Sequence, residues 1–573
     1  MIAAAVLLAA CAVLLARWRV HTVSGVVLDA SGQPVANASV RIRATEFTTQ
    51  TDSHGRFTLA GFSSAFKVRI TASANGYYVA GRAVWPWQRD VSLRLSPYRV
   101  PDNESYAWML PAIEARSAWK ALNILARLNL TAAFAPDALF FKAAGSLPLG
   151  CRDCHGQVIY DQWIGGAHAL GFANPRFASM YSGTDLSGQH RSPLTRHIPH
   201  GDYGTFPLRP DPTQRYYGPG YKLDFPGTAG NCAACHLPAA ALAEPYGIDP
   251  ASVSGVNALG SHCDFCHKIA AVKLDPETGL PYENMPGVLS IKMMRPSPEK
   301  QIFFGPYDDV DAGTDTYLAL ERQSEFCAPC HSASFWGVPV YQSFAEWKAS
   351  PYSDPVTGQT CQACHMKPNG TATNFAPGRA GQERSAAEIF THTFPGAADE
   401  ALLQNAVTLT TAARLEGNAV VVDVGIVNDN TGHHVPTDFP LRQVVLLVRA
   451  TGADGSALEQ VEGPVIPDYG GVGDPSRGYY AGLPGRIFSK VLMELWTEVS
   501  PTGAYWKPTR LVSDNRLAAF ATDTSRYRFT APAEGQATVQ VTLLFRRAFK
   551  LLMDQKGWNT PDIAMEQQTV KLP

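Results

Sequence analysis

Three kinds of hydrophobic pattern follow one another along the chain. Ile2 to Ala16 is an unbroken run of fifteen apolar residues, closed by Arg17-Trp18-Arg19. From about Val20 to Leu95 the pattern turns to short alternating stretches separated by turn chemistry. Val23 to Leu28 and Ala38 to Arg43 alternate apolar and polar residues, with Asp29-Ala30-Ser31-Gly32-Gln33-Pro34 between them. Thr51-Asp52-Ser53-His54-Gly55 is a second turn, leading into Phe57-Thr58-Leu59, and Val68 to Ala72 runs up to Asn75-Gly76. Period-two alternation broken by Gly, Asn, Asp and Pro predicts β-strands, and this many short ones predict a small N-terminal β-sandwich. Ala115 to Leu130 then spaces Trp119, Leu122, Ile124, Leu125 and Leu128 at helical intervals, which predicts an amphipathic packing helix.

Between residue 151 and about Phe394 neither period holds. The stretch reads as loop with short helices at most. After about Ala398 β-branched runs return, at Val420 to Val427, Val444 to Val448, Arg526-Tyr527-Arg528-Phe529 and Ala537 to Phe545. They predict a C-terminal β-sandwich-like domain. Its basic close (Arg546, Arg547, Lys550) reads as a solvated face, with a docking patch for an acidic partner as the alternative. The expected organisation is multidomain: a leader over 1–19, an N-terminal β-sandwich over 20–98, a loop-rich core with short helices over 99–397, and a C-terminal β domain over 398–573.

The aperiodic core carries the chemistry. Cys-x-x-Cys-His occurs five times, at Cys151-Cys154-His155, Cys232-Cys235-His236, Cys263-Cys266-His267, Cys327-Cys330-His331 and Cys361-Cys364-His365. This is the attachment pattern of c-type haem, in which two thiols add to the porphyrin edge and the adjoining histidine ligates iron. Structural zinc also uses C-x-x-C pairs. Zinc, however, gives no reason for a histidine after every second cysteine, and Cys11 is the only one of 11 cysteines outside the motifs. Five covalently attached haem c groups are therefore expected. Only 26 residues part His236 from Cys263, and 29 part His331 from Cys361, which places the second haem near the third and the fourth near the fifth. The gaps of 76 and 59 residues elsewhere are long enough to supply distal ligands.

The remaining composition narrows the setting. A net charge of −2 gives no basic excess for nucleic-acid binding. Haem attachment to C-x-x-C-H takes place outside the cytoplasm, so an exported protein is expected, periplasmic or at the cell surface. The leader is shorter than the ~20 apolar residues of a square membrane span. It fits an uncleaved anchor first, a cleaved signal second, and a lipoprotein processed at Leu8-Ala9-Ala10-Cys11 third. No Lys or Arg precedes its apolar run, and Arg17 and Arg19 lie on the exported side, against the positive-inside tendency.

Each iron needs a sixth ligand or keeps an open position. Outside the motifs and the N-terminal β region there are eight histidines: His168, His190, His197, His200, His262, His392, His433 and His434. His168, in Trp163-Ile164-Gly165-Gly166-Ala167-His168, leads them, and Trp347-Lys348-Ala349-Ser350-Pro351-Tyr352 is a near copy with Tyr352 in its place. His262 directly precedes Cys263 and suits a neighbouring haem. The fifth distal ligand is assigned to His197, with His190 and His200 as competitors and Met180 as an outside candidate.

Two resemblances add to this. The string Gly25-Val26-Val27-Leu28-Asp29, Gly32-Gln33-Pro34-Val35, Ala38-Ser39-Val40 and Thr51-Asp52-Ser53-His54-Gly55-Arg56-Phe57 resembles the carboxypeptidase regulatory-like domain. That implies a spacer or docking module, or more weakly a glycan contact. From residue 151 to the C-terminus the chain resembles exported multihaem c-type cytochromes. Trp163 to His168 resembles their Trp-x-x-Ser-x-His element, and Thr391 to Gly396 a distal-ligand segment. Asn428 to Thr437 resembles their Gly-His-x-x-Pro-Thr element, which selects His433 over His434. The resemblance implies His168, His392 and His433 as distal ligands. All five motifs end in His, so the Lys-ligated haem of the pentahaem nitrite reductases is absent.

The expected function is electron transfer to transient redox partners through five haems. The alternative is a haem oxidoreductase acting on a small nitrogen or sulfur compound at one five-coordinate haem. A filament of haem subunits is a third possibility that no residue selects, and the lone Gly470-Gly471-Val472-Gly473 loop lacks the strand-to-helix setting of a nucleotide site.

Overall fold

The computed structural model describes residues 20–98, 101–112, 150–202, 204–378, 381–532 and 535–573. The helix expected over Ala115 to Leu130 and the leader lie outside the described residues. The chain is multidomain and strand-rich, with few and short helices.

The N-terminal β-sandwich is built from seven strands: β1 His21–Asp29, β2 Ser39–Ile42, β3 Thr48–Gln50, β4 Arg56–Phe62, β5 Val68–Ser73, β6 Ala80–Val84 and β7 Val91–Leu95. One sheet runs β4-β1-β7 and the other β3-β2-β5-β6. The alternation legible in the sequence is the reason. Val23 and Val27 from one sheet meet Val40, Ile42, Ile70 and Ala72 from the other in a single core. Gly55 sits at φ +70° against Pro34 and the Val27 carbonyl, so the 51–55 turn needs glycine there.

Nine further strands form the C-terminal unit: β8 Thr408–Glu416, β9 Ala419–Val427, β10 Gln443–Gly452, β11 Gln460–Glu462, β12 Gly485–Glu494, β13 Thr509–Asp514, β14 Thr522–Thr530, β15 Ala537–Arg546 and β16 Ile563–Leu572. They pair as a four-stranded sheet, β8-β9-β14-β11, and a five-stranded sheet, β13-β12-β10-β15-β16. Every second residue of β9 (Val420, Val422, Val424, Ile426) packs on alternate residues of β10 and β15. Strand β10 reads as continuously apolar because its outer face is also covered: Val445 and Leu447 pack on Ile466, Ile487, Tyr469 and Tyr480.

That outer cover corrects one expectation. Arg546 is buried, not part of a solvated face. Its guanidinium pairs with Asp562 at 2.7 Å, donates to the Gly470 and Gly478 carbonyls, and lies over the Tyr480 ring. The glycine loop around Gly470 thus serves as the acceptor for a buried arginine.

Where the C-terminal unit meets the core, Lys490 is buried with its ammonium donating to the Pro339 carbonyl at 3.1 Å. Burial first, and the Arg516 charge second, lower its pKa to about 8. An unfolded lysine titrates near ~10.4, so between the two values the unfolded chain holds a proton that the folded chain releases. Stability should therefore rise with pH across that window, by roughly 3 kcal/mol for the whole of it. Denaturant titrations from pH 8 upward should show the rise in the native protein and a flatter profile in Lys490→Met.

Candidate haem-binding cavity

The central region has little core of its own because it surrounds a space. A cavity of about 2870 Å³ opens there, and all ten motif cysteines and all five motif histidines line it. Ordinary small-molecule pockets hold ~300–1,000 Å³. The lining is mainly apolar and aromatic, which suits large flat hydrophobic groups.

Each motif lies on a short helix: Cys151–Ile164, Ala233–His236, Cys263–Cys266, Ala328–His331 and Cys361–His365. On a helical turn residues three apart share a face, so the two thiols of a motif point the same way and the histidine follows beside them. The first helix breaks at Gly156 (φ 40°), directly after His155.

Backbone carbonyls fix several of the imidazoles. Nδ1 of His155 meets the Phe375 carbonyl at 2.8 Å, His267 the Phe304 carbonyl at 2.7 Å, and His365 the Pro395 carbonyl at 2.8 Å. A carbonyl only accepts, so each Nδ1 carries the proton. Burial lowers the pKa of His155 and His365, so their Nε2 atoms keep a free lone pair, whereas on His267 burial is outweighed by the Glu321 carboxylate at 3.3 Å, which raises the pKa to about 9. His331 lies instead beside the Asp438 carboxylate at 3.5 Å. Burial raises the pKa of Asp438, but the His331 bond and charge outweigh it and hold the carboxyl well below its usual range. The His236 ring stacks flat on Phe177, with centres 4.0 Å apart.

Three of the expected distal histidines face this space. His168 stands opposite His331 with ring centres 6.3 Å apart, and His433 opposite His365 at 6.4 Å. Two metal–nitrogen bonds of ~2.0–2.1 Å on opposite sides of one ion, plus a ring radius at each end, give about this separation. His433 is held by Nδ1 against the His434 carbonyl at 3.0 Å. His392 lies within electrostatic reach of His267 and His155. Burial lowers the pKa of His168 to about 4 and of His392 to about 3, so both stand as neutral imidazoles.

Two others are not brought to the cavity. His262 is buried, but its Nδ1 accepts the Phe265 amide at 3.2 Å as the cap of the third motif helix, and its ring packs on Trp108. With Nδ1 accepting, the ring proton sits on Nε2, which leaves no lone pair for a metal. His197 lies on an exposed hairpin, His197–His200 paired with Gly204–Pro207, as does His200. His190 pairs with Asp185 at the surface.

The attachment points keep the two proximities expected from the spacing and add others. The Cys327 thiol is within bonding reach of Cys361, as the short fourth-to-fifth gap led one to expect. Cys151 also lies within electrostatic reach of Cys263, and Cys235 of Cys330. The second and third motifs share a core through Ala233, Ala234 and Phe265. The fourth motif thus lies beside both the second and the fifth.

The two tryptophan repeats have a role that residue type alone did not show. Trp163 Nε1 donates to the Ser261 carbonyl at 2.9 Å, and Trp347 Nε1 to the Gln359 carbonyl at 2.8 Å. Each accepting carbonyl lies two residues before a motif cysteine, so each indole pins the approach to a later attachment helix. Tyr352 packs on Phe520 and against Gly432, beside His433. Asp438 went unnoticed in the sequence; its place two residues beyond Pro436 in the segment that carries His433 was the available signal.

Among the described residues no group of three or more His, Cys, Asp or Glu is arranged to hold a bare metal ion. A porphyrin brings four nitrogens of its own and asks the protein only for axial ligands, so a histidine beside each pair of thiols fits a haem.

Residues 22–94 match the carboxypeptidase regulatory-like domain. No curated protein matches the chain in sequence. Among solved structures, a penta-heme cytochrome c552 from Thermochromatium tepidum is similar at 19% identity over 74% of this chain and 97% of that one, with a TM-score of 0.49. Two cohesin–X-dockerin complexes from Acetivibrio cellulolyticus align at 20% identity over 13% of this chain and 52% of theirs, with a TM-score of 0.11.

Proposed function

We propose that this chain is an exported multihaem c-type cytochrome that carries electrons through five covalently bound haems. The observation that carries the reading is the convergence of five C-x-x-C-H motifs on one cavity, with two motif histidines facing a second imidazole across a gap of metal size. Haem supplies a one-electron iron couple. The residues of the chain fix the spacing and the tuning: cysteines hold each porphyrin edge, carbonyls orient the proximal imidazoles, and His168, His392 and His433 serve as distal ligands.

Contacts between thiols of different motifs put neighbouring attachment points side by side, so that charge has a short path from one to the next. Partners would be redox proteins that dock transiently through small interfaces. The N-terminal domain would serve docking or spacing, with glycan contact as the weaker role, and the leader would hold the protein to a membrane on the exported side.

Expressed in a host competent in cytochrome maturation, the denatured protein should retain five haems by pyridine haemochrome assay, and its mass should exceed that of the bare polypeptide by five haem groups. Thioether-free protein, or zinc in place of haem, refutes the reading. The alternative, a haem oxidoreductase acting on a small nitrogen or sulfur compound, is favoured by one observation: the histidines at the cavity are too few to saturate five irons.

A further inference from the structure

None of the fifteen histidines falls in the undescribed stretches, so their inventory is complete. Five belong to the motifs. His21 and His54 sit in the N-terminal sandwich; His190, His197 and His200 are at the surface; His262 is a helix cap. That leaves His168, His392, His433 and His434 on the cavity wall for five irons. The electrostatic neighbours of His434 are Glu346, Arg516, Asp514 and Lys490 and not a motif histidine, so three remain for the motif irons.

Their allocation is constrained. By ring separation His168 pairs with His331 and His433 with His365. His168 also lies within electrostatic reach of His236 and His365, but its ring stands at 6.3 Å from His331. His392, within reach of both His155 and His267, can serve only one of them. No histidine is left for the ion held by His236. Methionine does not fill the gap. Of the cavity methionines, Met109 takes the Gln301 amide on its sulfur, Met180 is packed among Leu441, Phe549 and Leu552, and Met366 directly follows His365. The Tyr341 and Tyr505 hydroxyls, within electrostatic reach of Cys235, bond to each other at 2.6 Å.

We infer that the haem anchored by Cys232, Cys235 and His236 has no ligand on its far side among the described residues and binds a small exogenous ligand there, a neutral diatomic or a small anion. The inference rests on the haem reading above. It makes the chain a ligand-binding or catalytic cytochrome as well as a conductor, with the open iron wired to the rest where Cys235 and Cys330 lie near each other.

The test uses the full holoprotein, with carbon monoxide and cyanide as probes. Two of its five haems, that of His236 and one of those of His155 and His267, should give an axial high-spin ferric signal in electron spin resonance. That signal should turn low-spin with cyanide, and carbon monoxide should shift the same share of the reduced Soret band. Crystals soaked in cyanide should show the ion opposite His236. Spectra that are wholly low-spin and indifferent to both probes overturn the inference, as does a protein side chain found opposite His236. A thioether-to-iron band that vanishes in Met180→Leu overturns it too, by naming a ligand. The haem count is read from the same sample: five haems with saturated irons defeat this inference alone, whereas a failed count defeats the electron-carrier reading itself.

Discussion

Changing Cys327 and Cys330 together to alanine is expected to leave four covalent haems and to divide the chain's reducible centres into two kinetic groups. The fourth motif is the junction of the attachment points. Its Cys330 lies near Cys235 of the second motif, and its Cys327 near Cys361 of the fifth. The first motif lies beside the third at Cys151 and Cys263, and the third shares a core with the second. Removing the fourth therefore strands the fifth and leaves the other three connected. Rapid-mixing reduction by a small donor should lose a fifth of the total haem absorbance change. Of what remains, about a quarter should move into a slow phase. Alanine at Cys361 and Cys364 is the control, because it removes a terminal centre and should leave the other four in one fast phase. If both variants reduce alike, the fourth motif is not a junction. Far-ultraviolet dichroism of the two β-sandwiches, which do not depend on this motif, reports whether each variant has folded.

The attachment chemistry was legible in the sequence because it is local. Two thiols and an imidazole within five residues need only one helical turn to act together, so spacing alone identifies them. The two β-sandwiches were legible for a similar reason: alternation in Val420 to Ile426 or Val23 to Val27 reports a buried face whatever the partner sheet. Distal ligands are long-range, and only some of the candidate segments carry a pattern of their own. His168 and His433 sit in such segments and do face the cavity. His262 was expected from its place beside Cys263, and His197 was one of three competitors for the fifth place; neither lies on the cavity wall. His262 is spent on capping a helix, and the hairpin of His197 projects into solvent. Short connections say which motifs are tethered, second to third and fourth to fifth, but not which long loop folds back to bring Cys151 beside Cys263. Arg546 was misplaced because a basic run looks solvated until a partner such as Asp562 is known.

Asp309→Ala is expected to cost up to ~3–5 kcal/mol, because it removes the buried partner of Arg384 and leaves that charge only the half-exposed Glu388 carboxylate at 3.6 Å. Both side chains are almost wholly enclosed, Arg384 at 2% exposure and Asp309 at 1%. Asp309 accepts from the Arg384 guanidinium and, at 2.7 Å, from the Ala44 amide of the N-terminal sandwich. Arg384 in turn lies over the Tyr307 ring at 4.4 Å. Beside this pair Arg41 meets Asp308 at 3.0 Å, and Arg43 and Arg69 meet Asp311 at 3.2 and 2.5 Å. One acidic stretch of the core is thus clasped by arginines of the sandwich, and Arg43, Arg69 and Asp311 belong to the cavity wall. Losing Asp309 should therefore loosen the domain junction as well as lower stability. Limited proteolysis should release the sandwich over residues 20–98 from Asp309→Ala faster than from the native chain. Asp309→Asn, which keeps an acceptor for the Ala44 amide, should fall between the two. In the double variant Asp309→Ala with Arg384→Met much of the loss should return, since no charge is then left buried alone. At the exposed pair of Arg414 and Glu416 the same removal should change stability by only ~0–1 kcal/mol. Equal losses at the two sites would mean that the clasp contributes nothing beyond surface charge.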